Sequence, residues 1–237
     1  MADHSPQPTR FTRRRALGAG AMAATASLAG APLATASPPG SMAPAQAWRR
    51  LVEGNERFVA GRQRHPHEGM AWRETLVEDQ WPFACVLGCA DSRVPPELIF
   101  DRGLGDIFTV RTAGEVLDES IIGSIEYAVE HLGVPLVVVL GHESCGAVTA
   151  AVELVRSGNG GSGSISTLLR GIEATVRGTP GDDDPDAFLA ACVVNQARRV
   201  VTQLRERSAL IREAVDAGRA GLVPAVYDLD EYRVTRH

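Results

Sequence analysis

The chain has 237 residues, of which 44% are hydrophobic and 22% are charged. Its formal net charge is −5; residues 1–36 alone carry +3, so the remainder carries −8. The net negative charge of the residues after 36 argues against nucleic acid and anionic membranes as partners. The roughly 200 residues beyond the N-terminal segment suffice for one domain with a sizeable core.

Residues 1–36 are typical of a processing signal. Arg13-Arg14-Arg15 precede an uncharged stretch from Ala16 to Ala36, and Ala34-Thr35-Ala36 offers a cleavage site of the small-x-small type. This pattern predicts a twin-arginine-type signal peptide and export to a periplasm, cell envelope or medium. A disordered basic tail is the alternative. A lasting membrane span is disfavoured because Ala, Gly and Thr add little to membrane insertion.

The mature chain is predicted to start with a flexible leader and to continue as one folded domain. Residues 37–44 are rich in Pro, Ser and Gly, as flexible segments are. The domain should therefore comprise residues 45–237. Apolar β-branched runs alternate with helical periodicity along it, which predicts an α/β fold with a mainly parallel sheet flanked by helices. The predicted strands are 83–88, 106–111, 136–140 and, as the last strand, 222–229; the predicted helices are 45–60, 72–80, a short one from 95, 120–132 with Ser120 as N-cap, 145–156, 185–206 and 209–217.

Two short polar stretches directly follow two of the predicted strands. Cys89-Ala90-Asp91-Ser92-Arg93 follows the first strand, and His142-Glu143-Ser144-Cys145 follows the third. Ligands of open parallel sheets bind beyond the carboxyl ends of the strands, so two thiols, an imidazole and a carboxylate are expected to converge there. Four such groups can close a tetrahedral zinc shell, and three leave a position open for water. Thiolate ligands favour zinc over magnesium or calcium.

The other two cysteines are expected to have no chemical role. In an exported protein, disulfide bonds are the first alternative for any cysteine. A domain of this size needs no such cross-links, and Cys85 and Cys192 both lie in apolar runs. They are predicted to be small buried hydrophobic residues.

The paired stretches 89–97 and 141–148 closely resemble the β-class carbonic anhydrases. Shorter stretches at 54–58, 111–114 and 124–134 are similar to the family as well, so the resemblance extends from about Ala45 onward. It implies a β-carbonic anhydrase-like fold, one zinc ion per subunit and a homodimer or homotetramer. Thr112 and Glu115 stand where the family more often has Asn, which leaves the substrate contacts at the rim of the site open.

The resemblance also implies residue roles. Cys89, His142 and Cys145 are the expected permanent zinc ligands, with Asp91 as a possible fourth. Asp91 and Arg93 are the expected catalytic residues: when Arg93 holds Asp91 away from the metal, water takes the fourth position, and otherwise Asp91 closes the site. A purely structural ion pair is the alternative for these two residues.

The implied reaction is the reversible hydration of carbon dioxide to bicarbonate and a proton by hydroxide held on zinc. Hydrolysis of carbon disulfide or carbonyl sulfide at the same site is a second possibility. A non-catalytic zinc-binding protein is a third, although a structural site would not need the open position that an Asp91–Arg93 pair maintains.

Overall fold

The computed structural model describes residues 42–237. The predicted signal peptide and residues 37–41 of the predicted leader lie outside the described residues. None of the helices described is both long enough and apolar enough to cross a membrane. The strands are β1 (Ala84–Gly88), β2 (Ile107–Arg111), β3 (Leu136–His142), β4 (Gly221–Tyr227) and β5 (Val234–Arg236); the helices are α1 (Pro44–Val59), α2 (Met70–Thr75), α3 (Pro96–Ile99), α4 (Glu119–Glu130), α5 (Gly146–Ser157), α6 (Ser164–Gly178), α7 (Pro185–Arg207) and α8 (Ala209–Asp216), with a 3-10 turn at Ala113–Glu115.

The five strands form one sheet in the order β2-β1-β3-β4-β5. The first four are parallel, and β5 is antiparallel to β4. Gly88, at the end of β1, pairs with Arg111 on one side and Leu140 on the other. The carboxyl ends of β1, β2 and β3 therefore lie side by side, and the predicted α/β fold with a mainly parallel sheet is confirmed.

The central strands are buried on both faces, which explains their continuous apolar runs. Every residue of β1 and β3 is buried. Since successive side chains point to opposite faces, Val86 and Val138 join one apolar core while Leu87 and Val137 join the other. Full burial of each such side chain contributes about 1.5–3 kcal/mol.

Helix α4 begins one residue earlier than predicted and uses a different cap. The carboxylate of Asp118 accepts a hydrogen bond from the backbone N–H of Ile121 at 2.8 Å. The predicted N-cap, Ser120, instead lies inside the first turn. Asp118 suits the position because its negative charge also interacts favourably with the N-terminal end of the helix dipole.

The predicted last strand is followed by one more. β5 is short and carries Thr235 and Arg236 exposed, so no apolar run marks it in the sequence. It is anchored from far away, because the buried side chain of Asn55 accepts a hydrogen bond from the backbone N–H of Val234 at 2.9 Å. Helix α6 was not predicted, because the glycine-rich segment before it masks the position where it begins. Helix α2 was predicted to reach residue 80 but ends at Thr75.

Candidate metal centre

Three predicted ligands meet at the carboxyl ends of the central strands. Cys89 directly follows β1, His142 is the last residue of β3, and Cys145 is the N-cap of α5. Their exposed fractions are 4%, 0% and 1%. The two Sγ atoms are 4.0 Å apart, and the three ligand atoms all lie within 4.8 Å of one another. The structure thus brings Cys89 next to two side chains that are more than 50 residues away from it in sequence.

The geometry of the three side chains fits one zinc ion. A tetrahedral ion with zinc–sulfur bonds of about 2.3 Å places two sulfur atoms about 3.8 Å apart. The observed 4.0 Å is close to that value. It is far longer than a disulfide bond of about 2.05 Å. Both cysteines are free thiols in the structure, as are Cys85 and Cys192, which are fully buried.

The His142 ring is oriented as a metal ligand. Its Nδ1 lies 2.8 Å from the carbonyl oxygen of Glu143, which can only accept, so Nδ1 carries the proton. The other nitrogen, Nε2, is buried and has no hydrogen-bond partner. An unsatisfied buried polar atom costs about 1–3 kcal/mol. Coordination of a metal ion by the Nε2 lone pair would remove this cost.

The contact between the two sulfur atoms changes the pKa values of the two thiols in opposite directions. The contact with the Cys145 thiol lowers the pKa of Cys89 to about 4 against the opposing effect of burial, and the hydrogen bond from the Gly114 N–H lowers it further. The same contact with Cys89, together with burial, raises the pKa of Cys145. A metal ion requires deprotonated thiol ligands, so the lowered pKa of Cys89 favours metal binding.

The predicted Asp91–Arg93 pair lies beside the three ligands. Arg93 donates from Nε to Asp91 Oδ1 at 3.0 Å and from Nη2 to Asp91 Oδ2 at 2.7 Å. These bonds hold the pKa of Asp91 well below its usual range, against a smaller effect of burial. Asp91 Oδ2 lies 3.8 Å from His142 Nε2, yet Asp91 does not join the group of ligand atoms within 4.8 Å of one another. In this structure Arg93 holds the carboxylate near the ligands but outside their cluster.

Arg111 fixes the loop that carries Cys89 and Asp91. It is the last residue of β2, and its guanidinium donates from Nε to the carbonyl of Cys89 at 2.9 Å and from Nη2 to the carbonyl of Asp91 at 2.6 Å. The side chain therefore contacts the backbone of the first motif. Arginine suits this task because its rigid fork can bond two acceptors at once.

The turn after β2 reaches the metal ligands through its backbone. The N–H of Gly114 donates to Cys89 Sγ at 3.4 Å. Gly114 has a φ of +66°, and a Cβ there would lie 2.6 Å from the Cδ1 atom of Ile172. The left-handed backbone therefore favours glycine at this position, and a Cβ would also displace the end of the Ile172 side chain.

Glu115 is not at the rim of the site, where the sequence placed it, but in the interior. It is 2% exposed, has a φ of +53°, and its Oε1 has no hydrogen-bond partner. Burial raises the pKa of Glu115 well above its usual value, and charge repulsion from an ionised Cys89 thiol raises this pKa further. Burial thus favours the neutral form of this carboxyl group. Two further buried side chains near this turn, Gln196 and Thr175, escaped sequence analysis because single polar residues inside helices carry no recognisable pattern.

Comparisons with known proteins agree with this site and fold. The carbonic anhydrase family profile matches residues 84–234. "Carbonic anhydrase 2" of Mycobacterium tuberculosis is 44% identical over 190 residues, which are 80% of this chain and 91% of that protein. Among solved structures, the β-carbonic anhydrase CcaA matches with a TM-score of 0.66 at 24% identity, covering 80% of this chain and 94% of that one. One of two tetrameric β-carbonic anhydrases from Sordaria macrospora matches with a TM-score of 0.63 at 21% identity, covering 80% and 95%. The chain therefore belongs to the carbonic anhydrase family and has the fold of its β class.

Proposed function

We propose that this protein catalyses the reversible hydration of carbon dioxide to bicarbonate and a proton with one zinc ion per subunit. The observation that carries the proposal is the arrangement of two thiols and an unpartnered imidazole nitrogen next to an arginine-held carboxylate. A site with only three ligands leaves a coordination position for a reacting molecule. A structural zinc site would instead be closed by four ligands.

Cys89, His142 and Cys145 would hold the zinc ion. When bound, zinc supplies a Lewis acid that makes a coordinated water acidic enough to provide hydroxide near neutral pH. Zinc is favoured over magnesium and calcium by the two sulfur donors. The Gly114 N–H and the Glu143 carbonyl would orient two of these ligands from behind.

Asp91 and Arg93 would act on the reacting water. Because its pKa is depressed, Asp91 is an ionised, acceptor-only carboxylate at neutral pH and can receive a hydrogen bond from that water. Arg93 holds it in this role with two parallel bonds. Without them, the carboxylate could approach the metal as a fourth ligand. The pair would therefore decide whether the site is open or closed, and the released proton would pass to buffer.

We also propose that the protein works as a homodimer or homotetramer. Several large apolar side chains around α2 and α3 are at least half exposed, which is unfavourable in an isolated subunit. They are Met70, Val77, Trp81, Leu98 and Leu104. A partner subunit that covered them could also supply an apolar surface for carbon dioxide, a small substrate without hydrogen-bond donors.

The proposed reaction can be tested on the zinc-loaded protein lacking residues 1–36. Zinc content and stopped-flow carbon dioxide hydration are measured together, with sulfide release from carbon disulfide assayed beside them. We expect hydration that disappears with zinc removal and returns with zinc. Fully zinc-loaded protein that releases sulfide but hydrates no carbon dioxide would move the assignment to a carbon disulfide hydrolase. Zinc-loaded protein with neither activity would indicate a non-catalytic zinc protein.

We propose, finally, that the protein is exported by the twin-arginine route. The support is the sequence alone, with Arg13-Arg14-Arg15 before an uncharged stretch, in residues outside those the structure describes. Replacing all three arginines with lysine keeps the charge, and it should leave the full-length precursor inside the cell. Processing and export of this variant at the wild-type level would contradict the proposal.

A further inference from the structure

A buried glutamine on α7 is bonded to the turn that contacts the metal ligands. Gln196 is 1% exposed, and its Nε2 donates to the carbonyl oxygen of Gly114 at 2.9 Å. The two residues are 82 positions apart in sequence. A buried amide is costly unless its hydrogen bonds are made. The helix therefore carries a polar group whose partner is the metal-site turn.

A second bond fixes the orientation of this amide. The hydroxyl of Thr175, on α6, donates to Gln196 Oε1 at 2.6 Å. Since Oε1 faces Thr175, the donating Nε2 faces Gly114. The polar chain continues away from the site, because Thr179 accepts from Asn195 Nδ2 at 3.1 Å and donates to the carbonyl of Thr175 at 2.9 Å. Only the Gln196 end of this chain reaches the turn through a side chain.

Gly114 joins the amide to the metal centre. Its carbonyl accepts from Gln196, and its N–H donates to Cys89 Sγ at 3.4 Å. Glycine has the greatest backbone freedom of any residue, so a contact from outside the turn is needed to fix the orientation of its peptide groups. We propose that Gln196 is a positioning residue of the metal centre, which holds Gly114 so that its N–H points at the Cys89 sulfur. The inference rests on the proposed zinc binding by Cys89.

The bond from Gly114 would act on the metal through the sulfur. An N–H directed at a ligand atom fixes the orientation of the ligand and adjusts its electron density. Loss of partners of this kind typically weakens metal binding by roughly 10- to 100-fold. Gln196→Met keeps the length of the side chain but removes both amide bonds. We expect it to release zinc to a chelator about tenfold faster than wild type, at the weak end of that range.

Cobalt substitution gives a readout that a general loss of stability would not change. The near-ultraviolet absorption of a cobalt(II)–thiolate centre arises from sulfur-to-metal charge transfer and responds to hydrogen bonds at sulfur. We expect this band to shift in Gln196→Met. Thr179→Val is the matched control, since it removes a buried hydroxyl from the same polar chain without touching Gln196 or Gly114. Its spectrum and zinc release rate should equal those of wild type.

Thr175→Val covers the case in which Gln196→Met does not fold. This variant leaves the amide in place but frees its orientation, so it should show the same changes in smaller size. The inference would be overturned if the variant that folds, Gln196→Met or Thr175→Val, had the cobalt spectrum and the zinc release rate of wild type. It would also be overturned if Thr179→Val released zinc as fast as that variant. Failure of the wild-type protein to bind zinc or cobalt at all would instead overturn the proposed function.

Discussion

The loop after β1 and the loop after β3 both deliver metal ligands, but they are held in place by different means. The second is built from main-chain structure: His142 still belongs to β3 opposite Tyr227, and the carbonyl of Cys145 accepts the backbone N–H of Thr149 in the first turn of α5. The first depends on arginine side chains, with Arg111 bonded to the carbonyls of Cys89 and Asp91.

This difference separates a rigid part of the site from an adjustable part. The main-chain hydrogen bonds that join β3 to β4, and those at the start of α5, cannot be removed by changing one side chain. The β1 loop can be released by one substitution, and its outermost member, Arg93, has a side chain that is 51% exposed. We therefore expect metal retention to depend chiefly on the ligands, while activity responds to the arginine-held loop.

The largest effect is expected from a change in the rigid part. Cys145→Ser replaces a sulfur donor with a poorly coordinating hydroxyl and should remove zinc and activity together. Zinc content after gel filtration measures the loss. Cys192→Ala is the control, because it removes another fully buried thiol that does not belong to the ligand cluster, and it should leave zinc at the wild-type level. Full zinc occupancy in Cys145→Ser would contradict the assignment of the ligand.

The second effect concerns the adjustable loop. Asp91→Asn keeps the size of the side chain but removes the charge that would receive a hydrogen bond from the reacting water. Groups in this role typically contribute at least roughly 100-fold, so kcat should fall by about that factor while zinc content stays at the wild-type level. Stopped-flow hydration and metal analysis on the same sample check both parts. Loss of zinc with loss of activity would make Asp91 a structural ligand instead.

A smaller effect is expected from Arg111→Met. The change removes two charge-assisted hydrogen bonds to the β1 loop but no ligand. Buried hydrogen bonds to charged groups contribute about 1.5–3 kcal/mol each to the free energy of unfolding. Because Arg111 is exposed, we expect the substitution to lower the free energy of unfolding by less than that range. Urea denaturation measures it, with zinc content as a second readout. Arg236→Met, on the exposed face of β5, is the control, and an equal loss there would remove the special role of Arg111.

The smallest effect is the pH dependence that the Arg93–Asp91 pair adds to stability. The pKa of Asp91 is depressed in the folded state, so its contribution is complete above the ordinary Asp pKa of about 4 and is lost as the pH falls through the lower folded value. Arg93→Met should raise the pKa of Asp91. The difference in unfolding free energy between wild type and this variant should therefore be present at pH 6 and shrink toward pH 3. A difference that grows in acid would contradict the pair.

The same contrast explains what could be predicted from sequence. The strand ends and the three metal-site side chains were predictable because each follows a continuous apolar run, and runs of that kind position their successors at one edge of a parallel sheet. The burial of Glu115 and the anchoring of β5 by Asn55 were not. These depend on contacts across the fold, such as the hydrogen bond between Asn55 and Val234, which are 179 positions apart, and such contacts leave no local pattern. The bond from Gln196 to Gly114 could not be predicted for the same reason, because the two residues are 82 positions apart.

X-ray absorption at the zinc edge of the purified protein shows directly which atoms surround the metal ion. We expect two sulfur atoms at about 2.3 Å and one imidazole nitrogen at about 2.0 Å, with an oxygen completing the shell. Protein purified with zinc whose spectrum contains no sulfur neighbours, or whose Cys89 and Cys145 are joined in a disulfide, would contradict this expectation.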